Sequence, residues 1–358
     1  MLQKIFDKID REQNLTRDEI VFLLKLENGD DLKVLFGKAD RVRQKYVGDE
    51  VHLRGLIEFS NYCRKNCLYC GIRRDNKKLK RYRMSIGEIE DCAVEAERLG
   101  YRTVVLQSGE DMYYTADRLA ELIGRIKRRC DVAITLSIGE RPREEYRRLF
   151  EAGADRFLIR FETSNPELYK KLHPDSFYEE RMRILTWLKE IGYQVGSGIM
   201  VGLPGQTVED LADDILKFEE LELDMVGIGP YICHQDTPLA GSRSGSAEMT
   251  YKVVALTRIV TRCANIPATT ALATLRQEDG RETALQLGAN VVMPNVTPPN
   301  YRAMYELYPD KVCIGENARE CRDCMQGRIF SIGRTISGGY GHSYRGRNKD
   351  LGKIRSTA

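Results

Sequence analysis

An alternation of strand and helix restricts this fold more than any other feature of the chain. Between residues 51 and 294 a short β-rich run followed by a helical stretch or turn recurs eight times. The runs are "VHLRGLIEF" (51–59), "TVVLQ" (103–107), "VAITLS" (132–137), "RFLIRF" (156–161), "VGSGIMVG" (195–202), "DMVGIG" (224–229), "ATTAL" (268–272) and "NVVMP" (290–294). Strands separated by helices pair in parallel through right-handed crossovers. Eight such units are the number that closes a barrel, so the expected fold is α/β, a complete (β/α)8 TIM-type barrel over residues 49–299. An open doubly wound sheet is the competing arrangement. Helix ends are also signalled: "SIGEIEDCAVEAERLG" (85–100) begins with Ser85 as N-cap, carries Glu88 at the capping-box position and closes on Gly100. Residues 1–48 read as a helical N-terminal cap, with "TRDEIVFLLKL" its most periodic piece. Residues 300–358 read as a C-terminal extension whose Gly-, Ser- and Arg-rich end, from residue 331, is expected to be loop or loosely held.

Composition narrows the class. A chain of 358 residues is long for an ordinary domain but normal for one barrel, and 42% hydrophobic residues suffice for a large core. The formal net charge of +3 gives no global field toward nucleic acid or a membrane. Charges interrupt the N-terminal "MLQKIFDKIDREQ", and nowhere do eighteen apolar residues run together. The expectation is a soluble, cytoplasmic monomer with a small or specific partner. In a reducing compartment, ten cysteines beside four histidines point to metal ligands and buried packing residues rather than disulfides.

Barrel chemistry sits at the C-terminal ends of the strands. That rule gathers the following residues: Cys63, Cys67 and Cys70 after the first strand; Gln107, Ser108, Gly109 and Glu110 after the second; Ser137 to Glu140 after the third; Arg160, Glu162 and Thr163 after the fourth; "GIMVGLPGQT" and "GPYICHQDTP" after the next two; and Thr269 and Thr270 after the seventh. The three cysteines have C-x3-C-x2-C spacing in "SNYCRKNCLYC" (60–70). A structural zinc site closes on four ligands, and no partner arm lies nearby. A cubane iron-sulfur cluster also prefers four cysteines, so three leave one iron open to a substrate or cofactor. Arg54, Gln107, Arg160, Thr269, Thr270, Tyr301 and Tyr305 are candidates for an anionic or amino-acid-like substrate, or else barrel-interior residues. A second set, Cys313, Cys321 and Cys324 in "CIGENARECRDC", has C-x7-C-x2-C spacing, which suits a metal, with zinc or unfilled thiols as alternatives. Cys92, Cys130 and Cys263 read as packing residues, and Cys233 as packing or cavity-facing.

The cysteine spacing, with Tyr69 before the last cysteine, resembles the signature of the radical S-adenosylmethionine (SAM) superfamily. That resemblance implies a 4Fe-4S cluster on Cys63, Cys67 and Cys70, with the amino and carboxylate groups of S-adenosylmethionine chelating the remaining iron. It implies a cofactor set of Tyr69, Ser108, Gly109, Glu110, Ser137, Glu162, Arg181 and Met200. Ser108 departs from the Gly-Gly-Glu turn that the family uses; Glu162 is expected to contact the cofactor and Arg181 to pair the cofactor's carboxylate, and Met200 lies in the "GIMVGLP" stretch beside the adenine. Taken in tandem, "IEFSNYCRKNCLYCGIRRDN", "RYRMS", "LQSGED", "ETSNPELYKKLHP", "MVGLPGQT", "DMVGIGPYICHQDTPLA", "IPATTALAT" and "GANVVMPNVTP" resemble the HydE family of FeFe-hydrogenase H-cluster maturases over residues 45–325. What that implies is a 5′-deoxyadenosyl radical acting on a small organometallic complex of iron, cysteine, carbon monoxide and cyanide. It also implies other hydrogenase maturases and an electron donor as partners, and an accessory 2Fe-2S or 4Fe-4S cluster on Cys313, Cys321 and Cys324, away from the cavity. A mutase resembling methylornithine synthase and a non-catalytic iron-sulfur scaffold are the alternatives.

Overall fold

In the computed structural model, which describes residues 1–345, the architecture rests on parallel strands. They are β1 (Glu50–Leu53), β2 (Gly55–Ser60), β3 (Thr103–Ser108), β4 (Ala133–Ser137), β5 (Arg156–Leu158), β6 (Gln194–Val201), β7 (Met225–Pro230), β8 (Val291–Val292) and β9 (Thr335–Ile336). Strands β2 to β7 form a six-stranded sheet in chain order, every pair parallel. Every residue of β2 is buried, as expected for a sheet covered on both faces. Strand β1 pairs in parallel with β8 on one side and β9 on the other. Isolated parallel bridges join Met225 to Asn265, Pro267 to Val291, and Leu56 to Asn295.

Two sequence expectations change here. The run at 51–59 divides at Arg54, so that β1 serves the β8 and β9 side while β2 pairs with β3. "ATTAL" is not a strand: Thr269 is the N-cap of a helix, Thr270–Leu275, its hydroxyl accepting from the Leu272 amide. A hydroxyl cap before an alanine-rich turn favours helix there. The bridging residues at this position are Asn265 and Pro267, just upstream.

Helices follow their caps. Ser85 and Glu88 form a reciprocal capping box on the helix Ile86–Arg98, and Thr16 with Glu19 does the same on Arg17–Leu24. Three helices, Leu2–Asp10, Arg17–Leu24 and Gly29–Val47, occupy the first 48 residues. The second and third pack on the helix Ala247–Thr261, where Lys252 Nζ donates to the carbonyls of Leu24 (3.1 Å) and Leu26 (2.5 Å), and the first packs on the third. One hydrophobic cluster runs from Ile5 and Ile20 through the strands to Ile329.

The extension is more ordered than its composition predicts. After the helix Ala318–Ser331, β9 joins β1, and the chain then runs under the N-terminal ends of the strands. The Tyr340 carbonyl accepts from Thr103 Oγ1 (2.8 Å) and Arg156 Nη2 (2.7 Å), and the Gly341 carbonyl accepts from Arg54 Nη2 (3.1 Å). Buried polar side chains that the strands leave without partners are satisfied by this backbone. The rest of the expected loop, 346–358, lies outside the described residues. Among the described residues, no helix is long and apolar enough to cross a membrane.

Candidate active site

The C-terminal strand ends surround a cavity of about 380 Å³. Cys63, Cys67 and Cys70 line one wall. Their loop leaves β2 through buried Asn61, whose Nδ2 donates to the carbonyls of Lys80 (2.8 Å) and Met304 (2.7 Å). The turn after β3 closes on that loop so tightly that a Cβ on Gly109 would lie 2.2 Å from the Tyr62 carbonyl oxygen; only glycine fits. The next amide, of Glu110, points at Cys63 Sγ (3.4 Å).

The three thiols are held neutral in the absence of a cation. Burial first, then neighbouring Cys63, pushes Cys67 up to about 12; burial raises Cys63, and burial with the other two cysteines raises Cys70 well above the ordinary thiol range. Three thiolates in one desolvated wall need positive charge, which a bound metal centre provides. Among the described residues no three ligating side chains surround a single-ion position. A cubane takes each thiolate on a different iron, so its ligands stand further apart than those of one ion. Three free thiols on one cavity wall therefore fit such a cluster, and would leave its fourth iron without a protein thiolate.

Charged groups around the loop are paired. Glu110 accepts from Arg64 Nε (2.5 Å) and from the Glu140 amide (2.9 Å). Arg181 holds Glu140 through Nη2 (2.7 Å) and Nε (3.3 Å), and Lys65 Nζ joins the same carboxylate (2.6 Å). Glu162 pairs with Arg160 (3.0 Å) and sits at φ +65°, a left-handed backbone that a non-glycine residue adopts only under constraint. Burial raises its carboxyl above the ordinary range. His173, buried and held down to about 3 by desolvation and by Arg181, is neutral. Its Nδ1 faces the Tyr169 carbonyl (2.9 Å), which can only accept, so Nδ1 carries the proton and Nε2 accepts from the Tyr69 hydroxyl (2.9 Å).

The cavity brings together Tyr69, Ser108, Gly109, Glu110, Ser137, Glu162, Arg181 and Met200, and with them Arg54, Gln107, Arg160, Thr269, Thr270 and Tyr305. Arg54 lies deep, donating to Met225 Sδ (2.8 Å) and to the tail. Gln107 Nε2 donates to the Tyr305 hydroxyl (3.4 Å). Tyr301 is placed elsewhere: it stands outside the cavity lining, with its hydroxyl on surface Glu88 (2.7 Å) and its ring against Tyr82. Cys233 also stays outside, its thiol donating to the Leu239 carbonyl (3.3 Å). Sequence reasoning missed Glu58, Tyr308 and Lys311, which also line the cavity. Lys311 Nζ binds the buried Glu58 carboxylate, whose other oxygen accepts from Asn295 Nδ2 (2.7 Å). No local spacing announces a contact between residues 253 apart.

The second cysteine set is differently built. Cys313 and Cys321 act on each other: the neighbouring Cys321 thiol and Arg281, whose Nη1 lies 3.8 Å from Cys313 Sγ, lower Cys313, while Cys313 and burial raise Cys321. Cys321 is buried, whereas Cys324 is exposed beside Arg328.

A parallel α/β scaffold whose strand ends enclose a cavity with three free thiols on its wall is the arrangement of a radical SAM enzyme. Residues 57–218 match the Radical SAM superfamily. Over 332 residues the chain is 52% identical to the FeFe hydrogenase maturase subunit HydE of Thermotoga maritima, covering 93% of this chain and 94% of that one. It is 30% identical over 293 residues to 3-methylornithine synthase of Methanosarcina acetivorans, covering 81% and 82%. The crystal structure of methylornithine synthase (PylB) superposes with a TM-score of 0.82 at 28% identity, covering 93% of this chain and 97% of that one. The chain belongs to the HydE family of radical SAM enzymes, which use a 4Fe-4S cluster and S-adenosylmethionine.

Proposed function

We propose that this enzyme acts in assembly of the di-iron subcluster of the FeFe-hydrogenase H-cluster, with Cys63, Cys67 and Cys70 as the ligands of its 4Fe-4S cluster. The observation that carries the reading is 52% identity to a HydE maturase along nearly the whole chain, with all three loop cysteines on the wall of one cavity. When bound, the cluster and S-adenosylmethionine supply one-electron cleavage of the sulfonium and a 5′-deoxyadenosyl radical. The protein's own part is to bind, orient and exclude water. The Glu110 amide and the Gly109 turn hold the loop; Glu162, Met200, Ser137 and Arg181 line the S-adenosylmethionine side; Gln107, Arg160, Thr269, Thr270, Tyr305 and deep Arg54 offer oriented donors to a small, anionic, iron-bearing substrate. The isolated bridges at Asn265, Pro267 and Asn295 support a sheet that closes into a complete (β/α)8 barrel around that substrate. Other hydrogenase maturases and an external electron donor are the partners this role requires, in the cytoplasm. Cys313, Cys321 and Cys324 form an accessory site distinct from the reaction centre.

The test is anaerobic reconstitution with iron and sulfide, reduction by dithionite and addition of S-adenosylmethionine, followed by hydrogenase activation in a mixture holding the other maturases and apo-hydrogenase. Formation of 5′-deoxyadenosine together with activation is the expected result; 5′-deoxyadenosine without activation sinks the maturase role. The PylB superposition favours a second reading, a lysine-rearranging mutase. Conversion of lysine to a branched product by the same preparation would establish that reading instead.

A further inference from the structure

We propose that Arg81 is the positive charge that sets the reduction potential of the cluster on the 63–70 loop, in addition to bracing the loop's two ends. The inference rests on the reading that Cys63, Cys67 and Cys70 hold that cluster. Arg81 Nη1 donates to the carbonyls of Asn61 (2.5 Å) and Ile72 (2.8 Å), and Nη2 to those of Arg73 (2.6 Å) and Asn76 (3.2 Å). Asn61 lies two residues before the first cysteine and Ile72 two residues after the last, so one guanidinium ties both ends of the ligand loop.

Its charge balance differs from that of the ion-paired cations around the same loop. Arg64 is paired with Glu110 (2.5 Å), Lys65 and Arg181 with Glu140 (2.6 and 2.7 Å), and Arg160 with Glu162 (3.0 Å). Among the described residues, no carboxylate lies within ion-pair distance of Arg81. The ionisable groups acting on it are Cys63, Cys70 and the Tyr62 phenol, while burial opposes its charge. Four carbonyl dipoles satisfy its N–H groups but carry no net charge, so a full positive charge sits between the two ends of the cysteine loop in a half-buried position, where water and salt screen it weakly. One-electron reduction by an external donor makes the cluster more negative by one unit. A fixed cation beside it favours that reduced state, since cluster potentials follow net charge and hydrogen bonding.

The measurement is an EPR-monitored redox titration of anaerobically reconstituted protein, with iron and sulfide counted beforehand. For Arg81→Gln, at the potential where the wild type is half reduced, the ratio of reduced to oxidised cluster falls about tenfold, equivalent to about 59 mV for one electron. Arg81→Lys, which keeps the charge and loses most of the brace, stays within about twofold of wild type, whereas a merely structural residue would move both variants alike. Equal potentials in Arg81→Gln and wild type, or equal shifts in the Gln and Lys variants, overturn the proposal. If Arg81→Gln takes up no iron, Tyr62→Glu decides: it leaves Arg81 and its four bonds in place and supplies the missing carboxylate from an exposed neighbour. Its potential is expected to fall in the same direction, and an unchanged one overturns the proposal. A wild type that takes up no 4Fe-4S cluster fails the cluster assignment itself, which the iron count reports separately.

Discussion

The two cysteine sets differ in how each is surrounded. The 63–70 loop places three half-buried thiols on one cavity wall, braced by Asn61 and Arg81 and ringed by ion pairs through Glu110 and Glu140. The 313–324 set has one buried thiol, one partly buried partner and one exposed at the surface, and only Cys313 and Cys321 line its void of about 10 Å³. Three cysteines thus make a preorganised site in one case and a loosely gathered one in the other. Preorganisation comes from the supporting residues rather than from the ligands alone.

Serine substitution gives the largest test of that contrast. Cys63→Ser, Cys67→Ser or Cys70→Ser is expected to abolish 5′-deoxyadenosine formation, whereas the triple Cys313→Ser, Cys321→Ser, Cys324→Ser variant retains it. Equal losses would break the comparison. Next come the supports. Glu140→Ala leaves Arg181 buried without its carboxylate, and urea unfolding should show a loss of roughly 3–5 kcal/mol. At the second set, Arg328→Met severs a partly exposed pair with Glu282, and the loss should be about 1 kcal/mol or less.

Thiol ionisation separates the two sets without any cofactor. In metal-free protein at neutral pH, iodoacetamide followed by mass spectrometry should find Cys324 and Cys313 modified before Cys67 and Cys70. The first is exposed and the second is favoured as thiolate, while burial keeps the other two protonated. The sign for stability follows. Cys67 has its pKa raised from 9.0 to about 12 on folding, so its neutral thiol supports the metal-free fold below pH 9, and that support is lost as pH rises toward 12. Metal-free wild type should therefore lose stability over that window, and Cys67→Ser should lose less; parallel curves would contradict the assignment. Comparably small is Tyr69→Phe, which removes one hydroxyl donor to His173 and should cost about 1 kcal/mol, read from thermal unfolding.

Legibility followed sequence distance. Cys63, Cys67 and Cys70 lie within one short loop, and the residues after each strand fell where the alternation put them; both signals are local. The Arg181–Glu140 pair was not legible because Glu140 and Glu162 leave adjacent strands, and only the strand geometry decides which acid the guanidinium reaches. Tyr301 was misplaced because it and Tyr305 share a segment but point to opposite sides of it. "ATTAL" was read as a strand because a short apolar run has no decisive period, and a threonine cap outweighed it.

By itself the sequence determined the parallel α/β class, the helix caps and the three-cysteine loop, because each is written in residues close enough along the chain to act on one another directly. Only the tertiary structure decided which cations are cancelled by carboxylates, that Lys311 reaches Glu58 across the cavity, and that the tail up to Arg345 covers the strand N-termini. Charge pairing and burial depend on distances in space, and folding sets those distances between segments whose spacing along the chain carries no record of them.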